Sequence, residues 1–255
     1  MCSYCFYPAG HSKALKYATA VLMEQGFSIV AKPDSSVTHL LLEAPAFDTH
    51  GVLRCGEDLG EILEQLPDSV VIMGGNLDHP LLEGMRTVDL LENEAYLAQN
   101  AAITAHCAAI LGANRLEVTL QDCPVLIIGW GRIGKCLSRL LRQMGAKVTV
   151  ATRKEEDRAI LRALVYESEM PQNLYCGLRK YRLIYNTAPA PILPQSRLCY
   201  CRPDCVKIDL ASRKGMDGED VIWAKGLPGK DAPEASGNLI AKTVVRLADS
   251  WEDAG

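Results

Sequence analysis

The sequence predicts an α/β protein with two parallel-sheet domains, joined by a long helix and completed by a C-terminal helix that returns to the first domain. Three observations carry this expectation. Short apolar runs alternate with stretches of helical periodicity, the pattern of strands covered by helices on both faces. Between the two halves, Ala95, Leu97, Ala101, Ala102, Ala105, Ala109 and Ile110 recur at helical intervals with no proline among them. Residues 124–153, PVLIIGWGRIGKCLSRLLRQMGAKVTVATR, read as a buried strand, a glycine turn, an amphipathic helix and a second strand. That is a βαβ unit of the Rossmann, dinucleotide-binding kind.

Each glycine of this turn has a physical role. Gly129 lets the chain turn sharply after strand 125–128, Gly131 removes a side chain where a pyrophosphate must approach, and Gly134 lets helix and strand pack closely. The helix, expected over 133–144 with Leu137, Leu140, Leu141 and Met144 on one face, then turns its N-terminal N–H groups to the phosphates. Trp130, Arg132 and Ile133 complete the turn. The second strand, 147–151, ends in Thr152, Arg153 and Lys154. An acidic residue there would hold an unmodified ribose, whereas Arg suits a 2′-phosphate. NADP is therefore the expected cofactor, with NAD possible.

The totals restrict the function classes. A chain of 255 residues suits two ordinary domains, and 48% hydrophobic with 23% charged residues fits a globular protein. The net charge of −4 gives no reason to expect nucleic acid, and no apolar run is long enough for a bilayer. The expected location is the cytoplasm, with the ten cysteines reduced. Cys199, Cys201 and Cys205 with Cys2 and Cys5 lack the spacing of paired metal knuckles, so no metal is expected.

In order, the first domain (1–91) is expected to hold strands 3–7, 27–31, 38–42 and 70–73, helices 13–25 and 57–65, and a turn at 8–10. The linking helix occupies 92–118 and carries the polar residues Asn100, Thr104 and His106. The nucleotide domain (119–231) continues with helix 155–163 and strands 182–186, 205–210 and 221–224. The terminal segment (232–255) is helical to about residue 249. Ligands of open parallel sheets sit beyond the carboxyl ends of strands. The loops Asn186-Thr187-Ala188-Pro189, Leu210 to Gly215 and Gly226 to Gly229 are thus expected near the glycine turn.

The sequences IGWGRIGKCLSRLLRQMGAKVTVATR, NTAPAPIL, IDLASRKGMDG and GLPGKDAPEASG, in this order, resemble the dipicolinate synthase A family. More distantly they resemble the nicotinamide domain of D-2-hydroxyacid dehydrogenases. The resemblance is specific over residues 92–247. It implies an NADP-dependent oxidoreductase that converts a cyclic dicarboxylate to dipicolinate in a spore-forming bacterium, as a homodimer beside a flavoprotein-like second subunit.

Arg213 suits the substrate carboxylate, since a guanidinium grips it through two hydrogen bonds. Asn186 and Thr187 are expected near the nicotinamide ribose, and Gly229 on the floor of the site. Asp209 either joins the site or only organises its loop. Two positions depart from the family. Thr104-Ala105-His106-Cys107 replaces Thr-x-Glu-Gly, and Ala232-Pro233-Glu234-Ala235-Ser236-Gly237 replaces Ala-Pro-Lys-Thr-Ala-Gly. Either His106 is the acid/base with Glu234 beside it, or the dicarboxylate site has been lost, since Glu234 would repel a second substrate carboxylate. The open alternatives are an enzyme for another small hydroxy or keto acid and a non-catalytic NADP-binding partner protein.

Overall fold

The computed structural model describes residues 4–252. Cys2, the expected strand start Ser3 and the last residues of segment 232–255 lie outside them. The chain runs β1 (Cys5–Ala9), α1 (Lys13–Glu24), β2 (Ser28–Ile29), β3 (His39–Leu42), α2 (Leu59–Leu63), β4 (Val71–Gly74), β5 (Arg86–Asp89) and α3 (Glu94–Ala113). It continues through β6 (Pro124–Ile128), α4 (Arg132–Gln143), β7 (Lys147–Ala151), α5 (Glu155–Ala163), β8 (Glu167–Glu169), β9 (Leu183–Asn186), α6 (Gln195–Leu198) and β10 (Val206–Asp209). β11 (Val221–Trp223), α7 (Leu227–Asp231) and α8 (Pro233–Glu252) complete it. Two compact units result, Met1–Asn100 with Pro228–Gly255, and Ala101–Leu227.

The first unit holds a parallel sheet in the order β2-β1-β3-β4-β5. β3 and β4 are buried along their whole length, as their unbroken apolar runs require. Ser12 caps α1 by accepting from the N–H of Leu15 (3.2 Å), and Ala14, Leu15, Ala18 and Leu22 form its buried face. α8 packs against α1 with glycine at the contact. A Cβ on Gly237 would lie 2.6 Å from the Ala14 carbonyl oxygen and 2.8 Å from the Ala18 nitrogen.

β1 corrects the expected turn at 8–10, since the strand runs through Pro8 to Ala9. β2 pairs only as far as Phe6, whose carbonyl accepts from Val30 N–H at 3.0 Å. Backbone groups alternate sides along a strand, so the position lacking an N–H falls where β2 has already ended.

The second unit holds a six-stranded parallel sheet in the order β11-β10-β9-β6-β7-β8. Its arrangement about β6, with a crossover to either side, is that of a doubly wound sheet. α3 lies over β9 within this unit. The Tyr185 hydroxyl donates to the Ala108 carbonyl (2.8 Å), and only glycine fits at 112 beneath the phenol ring. On α4, Leu137 and Leu141 are fully buried, but Leu140 is only half-buried and Met144 is exposed, so its core face is narrower than the sequence suggests. The edge strands β5 and β8 have no counterpart among the expected elements. Arg86-Thr87-Val88-Asp89 and Glu167-Ser168-Glu169 pair through the backbone while carrying polar side chains, so no apolar pattern marks them.

Candidate nucleotide site

In the second sheet, strand order reverses between β6 and β9, and the carboxyl ends of these strands form a crevice. Gly129 closes β6 with φ of +102°, donating its N–H to the Ala151 carbonyl at 2.9 Å. A Cβ on Gly129 would strike the Thr187 hydroxyl, and one on Gly134 would strike the Gly129 carbonyl. Thr187 ties β9 to the turn through its N–H (2.8 Å) and hydroxyl (3.0 Å), both given to the Ile128 carbonyl. The turn is thereby held rigid against both strands.

Gly131 differs from these two glycines. Its φ of −78° is open to any residue, and apart from its chain neighbours no atom of the described residues lies within 4 Å of where its Cβ would stand. Neither backbone conformation nor packing requires glycine there. It precedes α4, whose N-terminus has no side-chain cap and no acidic residue in its first turn. The Trp130 ring is buried, meets Tyr166 edge-on at 5.9 Å, and keeps an Nε1–H with no partner among the described residues. A pyrophosphate fits this arrangement, with room over Gly131 beside a helix start that has no side-chain cap.

At the end of β7, buried Thr152 donates its hydroxyl to Asp157 (3.2 Å). Arg158 holds the loop from below by donating to the carbonyls of Thr152 (2.9 Å) and Arg153 (2.8 Å), and it pairs with Glu155. Arg153 and Lys154 are exposed, and their side chains make no hydrogen bond or ion pair among the described residues. Two cations therefore stand at the expected ribose end of the crevice, and Asp157 is already engaged.

Asp209 is the hub of the loops beyond. Its carboxylate is fully buried without a cation, accepting from Asn186 Nδ2 (3.0 Å) and the N–H groups of Ala211 (3.0 Å), Gly215 (2.7 Å) and Met216 (2.9 Å). Asn186 also donates to the Ala188 carbonyl (3.0 Å) and accepts from the Ala188 N–H (3.1 Å). Both ends of the Asn186 amide are thus used in shaping the loops, and Asp209 is their organiser. A side chain at Gly215 would lie 2.5 Å from Asn186 Nδ2 and from the Ala190 carbonyl oxygen. The knot presents Ser212 and Arg213 outward, both exposed.

Among the other expected site residues, Arg132 is exposed and Ile133 half-buried at the start of α4. Thr187 and Ala188 are half-buried, Pro189 and Gly229 exposed, and Leu210 buried. His106 is exposed on α3 in the second unit, and Glu234 is exposed at the start of α8 in the first.

The first sheet has its own reversal, between β1 and β3. Glu43, following β3, accepts from the N–H groups of His11 (3.0 Å) and Ser12 (2.8 Å) after β1. Glu57 accepts from the Tyr7 hydroxyl (3.1 Å) and stands 3.7 Å from His11 Nε2. Burial, then the Glu57 hydrogen bond and charge, push the Tyr7 phenol up to about 12. Burial likewise raises the Cys55 thiol. Sequence reasoning missed this cluster, although His11 and Glu43 each follow an apolar strand run, where such groups gather.

The fold defines a class, the α/β proteins with doubly wound parallel sheets. Within it, the chain is similar to the dipicolinate synthase A protein of Bacillus subtilis strain 168. The two are 26% identical over 251 aligned residues, covering 88% of this chain and 84% of that protein. The structure of the dipicolinate synthase A protein from Bacillus halodurans matches with a TM-score of 0.85 at 21% identity, covering 97% of this chain and 98% of that one. The transhydrogenase of Sinorhizobium meliloti matches at 0.72 and 12% identity, covering 97% and 94%. No protein-family model matches the chain.

Proposed function

We propose that this chain is an NADP-dependent oxidoreductase of the dipicolinate synthase A type, oxidising a hydroxytetrahydro- or dihydrodipicolinate to dipicolinate. The observation that carries the reading is Gly131. It stands at the reversal point of a doubly wound sheet, and nothing among the described residues requires it to lack a side chain. The likeness to the dipicolinate synthase A protein, named as one subunit, supports the reaction class and a second kind of subunit as partner, for which a flavoprotein-like chain is part of the proposal. A cytoplasmic setting in a spore former and a homodimeric assembly belong to the same proposal.

Gly129, Gly131, Gly134 and the start of α4 hold the pyrophosphate, and Arg153 with Lys154 hold a 2′-phosphate. When bound, the nicotinamide supplies the hydride acceptor. Thr187 lines the nicotinamide end of the crevice. Arg213, carried outward by the Asp209 knot, fixes a substrate carboxylate through two charge-assisted hydrogen bonds. His106 accepts the proton released on oxidation.

The test is nicotinamide reduction with the dihydrodipicolinate-type substrate, followed by absorbance. Arg213→Ala is expected to lower kcat/KM by roughly a hundredfold, the worth of about 3 kcal/mol of charged hydrogen bonding. NADP affinity should change little. Unchanged turnover would remove Arg213 from the site. Turnover of a 2-hydroxy or 2-keto acid alone would move the assignment to a dehydrogenase of that acid.

A further inference from the structure

The segment entering β10 carries three thiols, and two of them meet. Cys205 is buried directly before the strand, its thiol donating to the Val206 carbonyl (3.7 Å), and Cys201 is half-buried on the other side of the 202–205 turn, the two packing into one core cluster. Cys205 belongs to a core cluster with Leu198, Met216 and Val221, against which Cys201 packs. The turn between the thiols is pinned. Cys205 N–H donates to the Arg202 carbonyl (3.1 Å), and Asp204 accepts from Arg182 (3.0 Å) and from Arg202.

Beside them Lys207 is almost wholly buried. Its Nζ donates to the Cys205 carbonyl (3.1 Å) and reaches Asp220, whose carboxylate lies mostly in solvent. The neighbouring Cys205 thiol and the Lys207 charge hold the Cys201 thiol below its ordinary range, against burial and Asp220. The Cys205 thiol is pushed up by its neighbour Cys201 and by burial. Of the two sulfurs, Cys201 is the more readily deprotonated. Cys199 is turned elsewhere, donating to the Ser196 carbonyl (3.1 Å). Among the described residues no group of three His, Cys, Asp or Glu is placed to hold a metal.

We propose that Cys201 and Cys205 form a reactive dithiol whose substrate is a small-molecule disulfide. Cys201 Sγ attacks one sulfur of that disulfide, the S–S bond breaks, and the other half leaves as a thiolate that takes up a proton. Cys205 then loses its proton, attacks Cys201 Sγ and expels the second half as a thiol. The protein pair is oxidised by two electrons, and the small disulfide is reduced to two thiols. With only three residues between the cysteines the closed loop is short, so the bridge adds little entropic stabilisation and thiols reopen it readily.

The experiment exposes the reduced, folded protein to oxidised glutathione and maps free, bridged and glutathionylated cysteines by differential alkylation and mass spectrometry. Wild type and Cys199→Ser are expected to lose the thiols of 201 and 205 together. Cys205→Ser should stop at a mixed disulfide on Cys201, and Cys201→Ser should leave Cys205 reduced. A persistent glutathione adduct on Cys201 in the wild type, or conversion of Cys199 while 201 and 205 stay reduced, overturns the proposal. The exposed Asp220 gives a second readout that leaves the core untouched. Asp220→Asn should speed alkylation of Cys201 by iodoacetamide severalfold at neutral pH, and an unchanged rate contradicts the part assigned to Lys207.

Discussion

Asp209 shows what a single buried charge does in this protein. A carboxylate removed from water is costly unless its lone pairs are filled, and here three backbone N–H groups and the Asn186 amide fill them. Asp209→Asn would place an amide NH2 toward donors and cancel two of these bonds. The expected loss of stability is about 2–3 kcal/mol, read by denaturant unfolding. A loss within experimental error would mean that the loops around Arg213 are held by something else. At this scale the sequence was partly legible. The glycines of the turn announce themselves by their spacing, which at Gly129 and Gly134 is set by close contacts within the turn and with Thr187. Asp209 was ambiguous, since an Asp at a strand end looks the same whether it faces a substrate or folds its own loop. Tyr7, His11, Glu43 and Glu57 were missed because 50 residues separate Tyr7 from Glu57, and no local pattern joins them.

Between elements, small residues set how closely helices approach. Gly237 lets α8 lie directly on the backbone of α1, and Gly112 lets α3 lie on Tyr185. Gly237→Ala forces a methyl against the Ala14 carbonyl, where no rotamer change relieves the contact. It is expected to destabilise the first unit by about 1–3 kcal/mol, although alanine favours helices, and the shift in Tm measures it. A stabilised variant would show that α8 can slide away at no cost. Element boundaries were readable wherever apolar residues followed a period, as in β7 and α5, which match the expected ranges 147–151 and 155–163. They were unreadable at the sheet edges β5 and β8, where backbone pairing alone makes the strand. Pro8 misled in the opposite direction, because a missing N–H is harmless where the neighbouring strand stops.

Across the whole molecule, each unit carries its own parallel sheet with its own reversal point, one bearing glycines and the other Tyr7, His11, Glu43 and Glu57. Both units hold buried phenols that the fold keeps neutral, Tyr7 and Tyr96 in the first and Tyr181 and Tyr185 in the second. Burial, helped in Tyr7 by Glu57, raises the phenols of Tyr7 and Tyr96 in the first unit from about 10 to about 12. Their neutral forms are favoured by the fold, so the stabilisation linked to them is complete below pH 10 and is lost as pH rises through 12. Phenolate absorbance is expected to show Tyr7 and Tyr96 among the tyrosines that titrate late, with Tyr7→Phe and Tyr96→Phe each removing one late-titrating group. Ionisation of both near pH 10 would contradict their environments. The measurement that bears most directly on the central claim is a calorimetric titration of NADP into wild type and Gly131→Val. The backbone at 131 accepts valine and, apart from its chain neighbours, no atom of the described residues opposes it, so the variant should fold as the wild type does. The wild type is expected to bind and the variant to lose affinity by roughly tenfold or more, because the new side chain fills the space reserved for the pyrophosphate. Equal binding by both, or none by either, would contradict a nucleotide site at this turn.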